Sequence, residues 1–376
     1  MSIYLNNAAT SWPKAPGVPE AVSAALQAPP SDGRRQGGRA DDCLEQCRCR
    51  IAHLLGVPDA DRVVLTSGAT EALNLAVWGV PLTHGSRVVT TVAEHNSVLR
   101  PLYHRSRPLR CRVTHVAVSP DGELDTSGFE RALADGADLV AVTHVSNVTG
   151  RAMPVSELFR ASKAAGAVTL LDASQSLGHL DVRPDELGAD LVAFTGHKGL
   201  GGPQGTGGLY VAPYLELAQI RVGGTGVRSE LLAHPQEMPL RLEAGTPNTP
   251  GLAGLAQALQ WHEFEGVAAR GRVADRCAAL RQGLSELPGV RLLGAGTSPA
   301  GIVSFTVEGW PVEDVGQVLL ESFGVTGRTG LHCAPLIHGP LGCAPWGTVR
   351  LSAGPFTTED EVAAAVSAVG SIAVCA

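Results

Sequence analysis

Leu191-Val192-Ala193-Phe194-Thr195-Gly196-His197-Lys198-Gly199-Leu200-Gly201-Gly202-Pro203-Gln204-Gly205-Thr206-Gly207-Gly208 carries two signals in succession. Its first four residues form a short, continuously apolar run, the pattern of a strand covered on both faces. The chain then turns through seven glycines around a single lysine. Lysine is scarce here: Lys14, Lys163 and Lys198 stand against twenty-six arginines. A guanidinium stays charged and forms no Schiff base, whereas a desolvated ammonium can lose its proton and attack a carbonyl. Lys198 is therefore the candidate anchor for a covalently held cofactor.

Working outward, the same apolar runs recur at residues 62–65, 87–92, 138–142 and 168–171. Helical candidates at 70–77, 125–133 and 155–165 lie between them. This strand-helix rhythm predicts an α/β fold with a mainly parallel sheet covered by helices. The Gly/Pro-rich residues 243–251 break the rhythm. Beyond them the pattern predicts a long helical region over 252–287, a strand at 301–307, a helix over Val312–Phe323 and a final helix from Thr358. These read as a second, smaller α+β domain.

With 376 residues, 44% of them hydrophobic, the chain can bury a large core. A net charge of -7 gives no overall basic footprint for nucleic acid, and no Lys/Arg cluster is expected beside an amphipathic helix for membrane binding. A small soluble substrate is the expectation. Residues 1–7 lack the charged and apolar regions of a secretory signal, and no apolar run is long enough to span a bilayer, so a cytoplasmic protein is expected. The eight cysteines, at 43, 47, 49, 111, 277, 333, 343 and 375, lack a regular disulfide framework and are read as reduced thiols. Cys43, Cys47 and Cys49 could suggest a metal, but no second Cys/His pair stands at zinc spacing. The step from Cys43 to Cys47 also fits one helix face, and no metal site is expected.

Three anchors suggest one site. Asp172 ends the apolar run Leu170-Leu171, and ligands of open α/β sheets bind beyond strand carboxyl ends. The alternative role for Asp172 is an ordinary helix N-cap. Thr66-Ser67-Gly68-Ala69-Thr70-Glu71-Ala72 reads as strand, glycine turn and helix start, a geometry suited to phosphate and equally to a plain N-cap. The third is Thr195-Gly196-His197-Lys198, which matches neither a Walker A loop nor G-x-G-x-x-G. A phosphate cradle, an acid at a strand end and a lone amine are together the set that pyridoxal 5'-phosphate (PLP) requires.

Residues 4–14, 94–102, 195–210, Gly223-Gly224-Thr225-Gly226 and Arg328-Thr329-Gly330-Leu331-His332-Cys333-Ala334-Pro335 resemble the class V aminotransferase group of fold-type I PLP enzymes. Within it they are most similar to cysteine desulfurases and selenocysteine lyases bearing the Arg-x-Gly-x-His-Cys loop. The resemblance implies a large PLP domain over 15–250 with a mainly parallel seven-stranded sheet, and a small α+β domain from 1–14 with 251–376. It also implies a homodimer with its active site at the subunit interface.

Carried over residue by residue, the resemblance implies Lys198 as the Schiff-base lysine, Asp172 as partner of the pyridine nitrogen and Gln175 as donor to the ring hydroxyl oxygen. His95 would stack on the ring and share in moving the α proton. Thr70, Thr195 and His197 would hold the phosphate, joined by Thr225 from the neighbouring subunit. At Ala69, where many relatives carry threonine, only the backbone N–H would contribute. Asn147 would lie near the ring hydroxyl and the substrate carboxylate, and Arg350 would grip that carboxylate with Arg328 nearby. Cys333 would take the substrate sulfur as a persulfide, in the positively charged surroundings that favour a reactive thiolate; the plain alternative is a buried structural cysteine. His338, Cys343 and His332 match no common metal spacing. The implied reaction is desulfuration of L-cysteine to alanine, with sulfur passed to an acceptor protein or small thiol. Selenocysteine lyase, C–S lyase on cystine or S-substituted cysteine, transamination and a non-enzymatic binding protein are the alternatives.

Overall fold

The computed structural model describes residues 2–29 and 42–374; Met1 and Cys375 of the sequence reading lie outside the described residues. In chain order the strands are β1 (Ile3–Tyr4), β2 (Val63–Thr66), β3 (Arg87–Thr91), β4 (Arg112–Val116), β5 (Leu139–Thr143), β6 (Val168–Asp172), β7 (Leu191–Thr195), β8 (Gly207–Val211), β9 (Val290–Leu293), β10 (Ile302–Val307), β11 (Val325–Thr326), β12 (Arg328–Gly330) and β13 (Thr348–Ser352). The helices are α1 (Val18–Gln27), α2 (Cys43–Leu55), α3 (Ala69–Gly79), α4 (Asn96–Leu109), α5 (Thr126–Leu133), α6 (Val155–Ala164), α7 (Pro184–Leu187), α8 (Thr249–Ser285), α9 (Val312–Phe323) and α10 (Glu359–Ala373).

The large sheet has seven strands in the order β2-β8-β7-β6-β5-β3-β4. From β7 to β4 all neighbours are parallel, while β8 runs antiparallel to both β7 and β2. The continuous apolar runs follow from cover on both faces. Leu170, Leu191 and Ala193 enter one core with α3 and α4, and the alternating Leu171, Val192 and Phe194 enter the other with α2, α5 and α6. Strand β8 begins with two glycines because a Cβ on Gly207 would stand 2.6 Å from the Phe194 carbonyl oxygen, and one on Gly208 would stand 2.4 Å from the Phe194 ring.

A four-stranded antiparallel sheet, β12-β13-β10-β9, lies in a second core with α9, α10 and the end of α8. Ile3 and Leu5 join that core, and β1 pairs with β11. Helix α8 supplies Leu252 and Leu255 to the first core and Leu280 and Leu284 to the second. Its 37 residues span about 55 Å, so one rigid rod ties the two cores together.

Cys43 and Cys47 lie on α2 and direct their sulfurs to the Thr249 and Leu252 carbonyls of α8, while Cys49 is exposed beside Glu45. One expectation is corrected here. Helix α4 is amphipathic and strongly basic, with Arg100, Arg105 and Arg107 on it and Arg110 at its end. A chain-wide charge of -7 conceals a Lys/Arg cluster of the kind the composition argued against.

Candidate active site

The parallel strands release their functional residues at one edge, where peptide N–H groups and helix starts converge. Asp172 is the last residue of β6, Thr195 the last of β7, and His95 follows β3 by a short turn. Together with α3, the loop at Asn147, and Arg328 and Arg350 on β12 and β13, they line a cavity of about 310 Å³. Ala69, Thr70, Gln175, His197 and Lys198 also open onto it.

At one end, Gly68 has φ 149° and ψ 176°, a conformation that L side chains avoid, and starts α3 without a side-chain cap. The first-turn N–H groups of α3 are thus left for an anion. The Thr70 and Ser97 hydroxyls lie 2.8 Å apart beside them. Ser67 instead donates from both its N–H and its hydroxyl to Glu71. His197 Nδ1 is buried without a partner, and its ring, held down to about 4 by burial and then by Lys198 and Lys14, is neutral.

At the centre, burial lowers the Lys198 amine to about 8, with Arg350 and Arg328 adding to the effect and Asp172 opposing it. The Asp172 carboxyl is 3% exposed and accepts from the Ser174 N–H at 2.9 Å, so the N-cap-like contact and the site position coexist. Gln175 donates through Nε2 to the Ala8 carbonyl at 2.9 Å. His95 Nδ1 accepts from the Ser97 N–H at 3.0 Å, which leaves the ring hydrogen on Nε2. Burial, then Lys198, lowers this ring to about 4.

At the other end, Arg350 is the largest fully buried side chain, 1% exposed. Its Nη1 donates to the Asn147 carbonyl at 2.7 Å, its Nε has no partner, and no carboxylate of the described residues pairs with it. Burial, then the neighbouring Arg328, brings this guanidinium down to about 9. A buried cation with an unused N–H is a waiting site for a carboxylate. Arg328 Nη2 donates to the Cys333 sulfur at 3.2 Å, so its contact is with the thiol.

Cys333 is held tightly. Both His332 and Cys333 have left-handed backbones, with φ 50° and 60°. Asn147 Nδ2 donates to the His332 carbonyl at 2.7 Å, the Asn96 N–H to the Cys333 carbonyl at 2.6 Å, and His338 bonds the Leu331 carbonyl. His338 Nδ1 faces the Cys343 sulfur at 3.2 Å, so this His/Cys pair props up the loop. His332, which reaches Thr348 at 2.7 Å, is kept neutral by burial and the two arginines.

The residues that open the chain complete the site. The His197 carbonyl accepts from the Ser11 N–H at 2.8 Å and from the Ser11 and Thr10 hydroxyls, and Lys14 crosses the same carbonyl. Sequence reading missed Ser97, which only its spacing after His95 could have signalled. It also missed Glu94, which is wholly buried, accepts from Thr91 and the Thr143 N–H, and is raised to about 8 by burial. Thr225 lies outside this cavity in its own chain, with its hydroxyl on the Val227 carbonyl.

A two-core α/β fold with a buried lysine between a strand-end acid and a ligand-seeking arginine defines a class, and comparison with known proteins agrees. The model of the class V aminotransferases matches residues 3–364. The chain is 36% identical over 338 residues to probable cysteine desulfurase 2 of Mycobacterium leprae, covering 86% of this chain and 79% of that one. Its fold superposes on the apo cysteine desulfurase of Thermococcus onnurineus with a TM-score of 0.88 at 31% identity, covering 100% of this chain and 95% of the other. For the Escherichia coli cysteine desulfurase CsdA, in its S-sulfonic acid form, the TM-score is 0.89 at 28% identity, with 99% and 94% covered. The chain belongs to the class V aminotransferase family.

Proposed function

We propose that the protein is a PLP-dependent cysteine desulfurase, and the observation that carries this is the Cys333 thiol held against Arg328 at the edge of the Lys198 cavity. The cavity residues fit the cofactor. An uncapped helix start with Thr70 and His197 suits a phosphate ester, Asp172 suits a ring nitrogen, and Lys198 suits an aldehyde. When bound, PLP supplies that aldehyde and an electron-accepting ring.

The chain's own residues would do the rest. Arg350 takes the L-cysteine carboxylate through its unused N–H. Lys198, neutral above about pH 8, moves the proton at the substrate α carbon. His95 was the other candidate for that transfer. With Nδ1 occupied by the Ser97 N–H, His95 presents an N–H donor instead of a base. The Cys333 sulfur attacks the substrate sulfur: a new S–S bond forms, the substrate Cβ–S bond breaks, and Cβ takes a proton. Alanine leaves and Cys333 carries a persulfide, with no external oxidant or reductant required. A rigid loop favours this attack by fixing the sulfur in place.

The reading includes a homodimer in which Thr225 reaches the partner's phosphate site, and a reducing compartment such as the cytoplasm, in keeping with the free thiols. The test is product analysis of the purified holoenzyme with L-cysteine and dithiothreitol. Alanine and sulfide in equal amounts are expected, and Cys333→Ser should lower both by about 10³-fold or more with the cofactor absorbance intact. Pyruvate in place of alanine, or full activity in Cys333→Ser, would assign the site to C–S lysis or transamination. A selenocysteine substrate would give alanine and selenide.

A further inference from the structure

A persulfide on Cys333 has to be collected, and the path to it is charged. Cys333, Asn74, Trp78, Arg100 and His104 open onto a second cavity of about 540 Å³ beside the first. From that cavity α4 leads outward. Arg100, His104 and Arg107 recur at steps of four and three, the spacing of one helix face, and all three are exposed. Arg110 at the helix end and Arg112 on the edge strand β4 are exposed as well. The rise from Arg100 to Arg110 is about 15 Å.

From His95 to Pro120 the chain has five arginines, three histidines and no acid, although its net charge is -7. None of these arginines pairs with a carboxylate of the described residues. Arg105 stacks over Trp78 and Arg107 over Tyr103, which fixes their planes without neutralising their charge.

We infer that the exposed face of α4 is the docking rail for a sulfur-accepting protein with an acidic surface around its receiving thiol. This rests on the reaction proposed above. With five arginines and no acid in residues 95–120, the remainder of the chain carries a net charge of -12 (-7 less 5), so an acidic partner is drawn toward α4 and its thiol steered to the cavity at Cys333. A nucleic acid, with phosphates running far beyond a 15 Å strip, would meet that negative charge. In the transfer the acceptor thiolate attacks the outer sulfur of the Cys333 persulfide. The new S–S bond forms on the acceptor, the old one breaks, and Cys333 leaves as the thiolate, so no electrons are gained or lost overall.

The experiment uses the holoenzyme and three synthetic peptides, each with one cysteine flanked by glutamates, glutamines or lysines. Fluorescent versions with serine for that cysteine report binding by anisotropy without sulfur transfer. The glutamate peptide should accept sulfur with a kcat/KM at least about tenfold above the glutamine peptide at low salt. That advantage should vanish in 1 M salt, where screening acts within about 3 Å. The triple variant Arg107→Gln, Arg110→Gln, Arg112→Gln should lose it, while alanine formation with dithiothreitol stays unchanged. Equal binding of the three serine peptides, or a triple variant that keeps the preference, would overturn the docking face. So would duplex DNA competing the glutamate peptide away at equal charge. Absence of alanine with dithiothreitol would instead sink the proposed reaction, which the binding measurements do not depend on.

Discussion

Arg350 and Asp172 pull the Lys198 amine in opposite directions. Removing one positive charge raises the amine pKa, and removing the negative one lowers it. In protein stripped of cofactor, the rate of reloading with PLP should climb with pH and level off above about 8, because only the neutral amine attacks the aldehyde. Arg350→Gln should move that plateau to higher pH and Asp172→Asn to lower pH, read from the growth of cofactor absorbance. A plateau that stays put in both variants would show that burial alone governs the amine. Residue identity was legible in advance for most of the cavity, since Lys198, Asp172, Gln175, His95 and Arg350 all reach it. Their partners were not. Arg328, expected beside the substrate, lines the cavity and also donates to Cys333, a matter of side-chain direction that spacing does not encode.

Elements explain where the sequence reading stopped. Strands β5, β6 and β7 were visible because cover on both faces demands unbroken apolar runs. Strand β8 gives no apolar signal at its start, since its first two positions have no room for a side chain. Strand β4 lies at the sheet edge with an exposed, polar sequence, and α4 carries Pro101 and Pro108 inside a helix that pattern rules would end. The start of α3 offers a direct test. Gly68→Ala meets ordinary space but forces a strained backbone worth about 1–3 kcal/mol. Affinity for PLP should fall about tenfold, with little change for pyridoxal, which lacks the phosphate; fluorescence titration of both separates a cradle defect from unfolding. Equal losses would remove the phosphate from this helix start.

Across the whole molecule, one buried ion pair ties three segments together. Arg48 on α2 makes two bonds to Glu243 and one to the Val63 carbonyl, and Glu243 also accepts from the Leu65 N–H. Glu243→Ala strands the guanidinium, and urea unfolding should register a loss of about 3–5 kcal/mol. Sedimentation of the holoenzyme should give twice the chain mass, and dilution into monomers should release cofactor if Thr225 completes the partner's site. The bonds from residues 3–14 have a temporal consequence. Asn7 pairs with Ser352, Ile3 with Val325, and Ser11 with His197, so residues 3–11 leave the ribosome long before the segments they pair with. The nascent polypeptide can lay down its large sheet, complete at Val211, well before Arg350 reaches the cavity. A truncation ahead of β13 would take a middle strand of the small sheet and α10 out of the second core, and would leave the large sheet facing a cavity without Arg350.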